Sequence, residues 1–119
     1  MRPVPLTPPP SPHEEWHARG NQLWRQSTLI GASKDLEVYD LPVYALDLDA
    51  YPWDERMSVA NFVDHAHRMR NAGCWPVIIS PDGEVLNGWH RIAHAVINGR
   101  TSVTAVRLET MPPPDREDA

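Results

Sequence analysis

Hydrophobic spacing alternates between helical and strand-like periods along this chain and divides it into a short series of elements. His13 to Ser27 reads as a first helix with Trp16, Leu23 and Trp24 on its apolar side, although Gly20 in its middle weakens an unbroken rod. Leu29 to Ala32 has no decisive pattern. Leu36-Glu37-Val38-Tyr39 and Val43-Tyr44-Ala45-Leu46-Asp47-Leu48 both alternate as strands do, with Pro42 as the break between them. Tyr51-Pro52-Trp53 is a loop. Ser58 is a good N-cap for a helix running to about Asn71, closed by Gly73. Pro76 to Ser80 carries a Val-Ile-Ile run and reads as a buried strand, Asp82-Gly83 is a turn, and Glu84 to Leu86 returns as its hairpin partner. From His90, the apolar residues Ile92, Ala93, Ala95, Val96 and Ile97 suit a helix stopped by Asn98-Gly99, and Val103 to Leu108 closes as a strand. Strands and helices mixed in one small body predict an α/β or α+β fold, with a partly mixed sheet and packed helices.

Composition bounds this picture. A chain of 119 residues suits one domain with one modest core. Six of the 13 prolines lie within Met1–Pro12 and three more in Pro112-Pro113-Pro114, so both ends read as extended or surface-wrapping tails. The expected division is a Pro-rich arm over 1–12, a body over 13–110, and a C-terminal tail over 111–119. Neither a basic stretch with an apolar run behind it nor a long apolar segment occurs, so a soluble, cytoplasmic protein without membrane contact is expected. The single cysteine, Cys74, excludes an intrachain disulfide framework and suits a small buried side chain. Eleven Lys and Arg stand against 16 Asp and Glu, a net charge of −5. That balance disfavours binding to duplex DNA by the whole surface and leaves a local patch of Arg56, Arg68, Arg70 and Arg91. Of the five tryptophans, Trp16 and Trp24 are expected to pack the first helix on the body, and Trp53 and Trp75 to cover sheet edges.

The chemistry concentrates at Asn87-Gly88-Trp89-His90-Arg91. A strand end, a glycine and a His-Arg pair in the first helical turn together make a small phosphate cradle. The helix start attracts anions through its N–H groups and macrodipole, and glycine admits close approach of a ligand. His90 and Arg91 add donors suited to phosphate oxygens. The same residues equally serve an ordinary capped and solvated helix start. Trp89 either stacks on a base or anchors the turn in the core. On the Ser58 helix, Val59, Phe62, Val63, Ala66 and Met69 form the apolar stripe, beside a polar stripe of Ser58, Asn61, His65 and Arg68. His90 and His94, and His13 and His17, are spaced i,i+4, but neither pair has a third ligand, so no resident metal site is expected. Glu84, Asp82 and Asp64 are the carboxylates best placed to hold Mg²⁺ through phosphate oxygens, Glu84 foremost, although an exposed hairpin charge explains it as well.

The stretch from Val77 to Ala95, with Gly99-Arg100 and Val103 to Leu108 behind it, resembles the ParB/sulfiredoxin-like superfamily over about Leu36 to Leu108. The resemblance implies a nucleotide or phosphate site at Gly88, Trp89, His90 and Arg91 with Asn87 at its edge. It also implies a packed helix that brings Asn61 and His65 to the same pocket. Four departures narrow the activities it implies. Trp89 stands where sulfiredoxin has its nucleophilic cysteine, and an indole cannot attack a phosphoryl or sulfinyl group. Asn87 replaces the acid of relatives with an Asp-Gly-x-His-Arg turn, and Ser58 replaces a phosphate-binding lysine. The partitioning proteins carry a helix-turn-helix domain after this fold, and the short stretch after Leu108 is not expected to form one. The expected function is binding of a nucleotide or phosphorylated small molecule, with Mg²⁺ and a nucleoside triphosphate as the implied cofactor pair. Phosphoryl transfer or nucleotide hydrolysis would rest on Glu84, His90 and Arg91. The alternatives are a non-catalytic module that binds a protein partner or a second copy of itself, and a ParB-like nuclease acting on DNA.

Overall fold

A computed structural model describes residues 16–49, 52, 57–70 and 75–118. The Pro-rich arm, His13, Trp53, Arg56, Asn71, Gly73 and Cys74 lie outside the described residues. The fold is mixed α+β, with three helices and two sheets among the described residues. The main sheet has the order β3-β6-β4-β5, built from Tyr39–Pro42 (β3), Val77–Ile79 (β4), Val85–Asn87 (β5) and Ser102–Arg107 (β6). β4 and β6 are parallel, while β3 on β6 and β5 on β4 are antiparallel, so the sheet is mixed.

The apolar run in β4 is continuous because both faces of the sheet are covered. Ile78 points into a cluster with Trp24, Leu29, Leu86, Val106 and Leu108. Its neighbours Val77 and Ile79 join Ile92, Ala95, Val103 and Ala105 on the opposite face. Helix α1 (Gln26–Ser33) covers the first face and helix α3 (Trp89–Ile97) the second. α3 ends as the sequence indicates. Gly99 takes φ 70°, and the N–H groups of Gly99 and Arg100 return to the carbonyls of Val96 and Ala95.

Three elements differ from the sequence reading. His13 to Ser27 is not one helix. Residues 16–25 form an antiparallel hairpin of β1 (Trp16–Arg19) and β2 (Gln22–Arg25), and the helix begins only at Gln26. Gly20-Asn21 is the two-residue turn, with the glycine at the first central position where φ is positive (59°). Val43 to Leu48 is not a strand either: Val43–Ala45 is a 3₁₀ turn. The strand lies just before it, at Tyr39–Pro42 rather than the expected Leu36–Tyr39, and it includes Pro42 instead of breaking there, which an edge strand tolerates because one row of its N–H groups has no partner strand among the described residues. Third, the apolar stripe on helix α2 (Val59–Arg70) does not enter the core. α2 has no buried residue, and Val59 and Phe62 are 82% and 60% exposed. Its start matches the sequence reading, with the Ser58 hydroxyl accepting from the Asn61 N–H at 3.0 Å.

The C-terminal segment wraps the surface and completes the small sheet, order β1-β2-β7, where β7 is Arg116–Glu117. The Trp24 indole N–H donates to the Pro112 carbonyl at 2.8 Å, and the Asp115 carboxylate accepts from the Arg25 N–H at 2.9 Å. Trp16 is covered by the guanidiniums of Arg25 and Arg116, each 5.2 Å from its ring centre. Trp75 is buried. None of the described helices is long and apolar enough to cross a membrane.

Candidate functional site

Gly88 links β5 to α3 as the N-cap residue, with φ 116°. A Cβ built there would lie 2.9 Å from Val77 Cγ2 and 3.1 Å from Val77 Cα. Glycine is therefore required by the sheet behind it, whatever stands in front. No side chain caps this end of α3 and its own first turn carries no acid, so the only described carboxylate acting on its His90 is that of Asp64 on α2. The first helical bond runs from the Ile92 N–H to the Gly88 carbonyl at 3.0 Å. Trp89 packs against the apolar cluster of Ile92 and Val103, which makes it an anchor for the turn.

His90 meets His65 across the α2–α3 seam. Nδ1 of His65 and Nε2 of His90 are 2.6 Å apart, and the rings lie 4.9 Å centre to centre at 21°. One nitrogen must donate and the other accept, so this contact needs at least one neutral ring. Burial pushes the His90 imidazole down to about 4, reinforced by the Arg68 guanidinium and by His65, with the Asp64 carboxylate pulling the other way. Residues 25 apart in sequence thus form one half-buried pair at the helix start, with the Arg68 charge close by.

Other sequence-selected residues go elsewhere. Asn61 is exposed one turn before His65. The Asn87 amide donates to the Gln26 side-chain oxygen at 2.7 Å, while the Gln26 amide donates to the Leu86 carbonyl at 3.2 Å. Asn87 is thereby tied to the start of α1. Glu84 accepts from Arg19 at 2.9 Å and lies 2.9 Å from His17 Nε2, and Asp82 accepts from the same Arg19 at 3.2 Å. The Ser80 hydroxyl donates to Asp82 at 2.5 Å and holds that carboxyl below its usual range, with the Arg19 charge adding to the effect. These carboxylates form a clasp between the small sheet and the β4–β5 turn. Asp64 sits on α2 instead, so the three carboxylates named for Mg²⁺ do not converge. No group of three His, Cys, Asp or Glu able to hold a metal occurs among the described residues.

Sequence reasoning missed His17, Arg19 and Gln26 as the partners that occupy Glu84 and Asn87. The one available signal was the Gly20-Asn21 turn, which folds β1 back and carries His17 and Arg19 to the β4–β5 turn. The class these features define is a small mixed α+β domain with a two-histidine seam at an uncapped helix start. No family model, curated protein or solved structure matches the chain.

Proposed function

We propose that this chain binds the phosphate of a nucleotide or a phosphorylated small molecule at the start of α3, as its Gly-x-His-Arg turn and its ParB/sulfiredoxin-like resemblance imply. The single observation that carries the reading is the His65–His90 pair at that helix start, with Arg68 beside it and no competing acid in the first turn. An anion there gains the helix dipole and charge-assisted donors from the Arg68 and Arg91 guanidiniums. Trp89 contributes by anchoring the turn against the apolar cluster rather than by touching the ligand. Glu84 and Asn87 have a smaller part, because each is engaged by the neighbouring hairpin or helix. Magnesium enters this reading only as the counter-ion of a bound triphosphate. If turnover occurs, the chain's contribution is electrostatic, by Arg91 and Arg68 on the phosphoryl oxygens.

A second reading is favoured by one observation. Val59, Phe62 and Val63 are exposed in an i, i+3, i+4 stripe, beside a shallow groove of ≈ 280 Å³ lined by Met57, Ser58, Val59 and Phe62. That surface suits a non-catalytic protein-interaction module.

Calorimetry and thermal shift with ATP, CTP, GTP and inorganic phosphate, with and without Mg²⁺, test the first reading. Ligand at a hundredfold over Kd stabilises by about 2.7 kcal/mol, several degrees of Tm for a domain of this size. Arg91→Ala is expected to abolish that shift. Absence of binding by wild type at millimolar ligand would overturn the reading.

A further inference from the structure

We infer that α2 is a proton-gated flap, latched to α3 by the His65–His90 hydrogen bond and released when both imidazoles carry a proton. The inference stands apart from phosphate binding and holds whether or not the start of α3 takes an anion. It rests on two geometric facts. α2 has no buried residue and, among the described residues, packs chiefly on α3, so little apolar burial holds it in place. Across that seam the two ring nitrogens stand 2.6 Å apart, a distance that requires a shared proton. Two imidazolium rings cannot keep that contact, because both nitrogens would then be donors and the rings would repel.

The surrounding charges set the direction. On α2, Arg68 and Asp64 face the pair with opposite signs. On α3, Arg91 follows His90 directly and His94 stands one turn on. The strands behind α3 present Val77, Ile79, Val103 and Ala105, none of which titrates. Acidification therefore acts on the seam through the histidines. His90 in the latched state has its pKa lowered from 6.5 to about 4, so the undocked ring binds a proton where the docked one does not. Docking weakens as pH falls through 6.5, and the loss is complete near 4, where the docked ring itself becomes charged.

Native-state hydrogen exchange on the full chain at pH 7.5 and 4.5 reads this, with rates corrected for intrinsic pH dependence. Protection of the α2 amides over 59–70 is expected to fall about ten- to eightyfold, the lower bound allowing for solvent screening of a half-exposed ring, while β4 and β6 change less than about threefold. In His90→Gln the α2 fall shrinks to under about threefold, since glutamine does not titrate. Unchanged α2 protection in wild type, simultaneous loss in β4 and β6, or a full-sized fall in His90→Gln would each overturn the inference. A second readout needs no variant: imidazole titrations by NMR. A coupled His65–His90 titration whose midpoints are shared by the α2 amide shifts supports the latch. Two independent titrations with flat α2 shifts sink it.

Discussion

At the scale of single residues, the glycines differ sharply in what they do. Gly88 combines φ 116° with a β-strand directly behind it, so any side chain there is strained and collides with Val77. Gly31 lies inside α1, where an added Cβ meets nothing within 4 Å. Gly88→Ala is expected to destabilise by about 2–4 kcal/mol, from the disfavoured φ together with overpacking. Gly31→Ala should stabilise by about 0.5–1 kcal/mol. Urea unfolding of the two variants checks the pair, and equal midpoints would show that Gly88 owes its place to something other than Val77. The sequence alone presents this glycine as an approach for ligand, and the packing of Val77 behind it is a separate and sufficient reason for it.

Elements show where periodicity informs and where it misleads. α3 was legible nearly to the residue, because its apolar positions, its Gly88 start and its Asn98-Gly99 stop all agree. α2 was legible as a helix with a correct N-cap, yet the role of its stripe was not. A hydrophobic face specifies that something apolar should cover it, and only packing decides what does. Phe62→Ser should therefore change stability by no more than about 0.5 kcal/mol, as for other exposed positions. Ile92→Ala on α3, whose side chain is 1% exposed, should cost about 2–5 kcal/mol. Chemical denaturation of both variants measures this, and a large loss in Phe62→Ser would place α2 deeper in the core than described. The β1–β2 hairpin was misread for a related reason. Trp16, Leu23 and Trp24 satisfy a loose helical spacing, while the Gly20-Asn21 turn between them specifies a hairpin.

On the scale of the whole molecule, the chain's last residues belong to its first sheet. Truncation after Met111 removes β7, the acceptor of the buried Trp24 indole N–H and the carboxylate on the Arg25 N–H. An orphaned buried donor costs about 1–3 kcal/mol and a lost hydrogen bond about 1 more, so a loss of about 2–4 kcal/mol is expected. A truncated chain with the urea midpoint of the full one would show that the segment only decorates the surface. The Arg19, His17, Asp82 and Glu84 clasp couples the same small sheet to the main one. The Arg19 pairs are exposed, so they add little stability and mainly fix orientation.

The sequence by itself determined the class, the buried β4 strand, the α3 boundaries and the Ser58 cap. Each follows from local spacing or from a backbone preference. Only the tertiary structure decided that Glu84 and Asn87 are held by Arg19, His17 and Gln26, that α2's apolar stripe stays outside the core, and that the C-terminal segment closes a sheet with residues near the other end. These are contacts between segments about 60 to 95 residues apart, or the absence of such contacts, and no local period encodes which distant partner a side chain will meet.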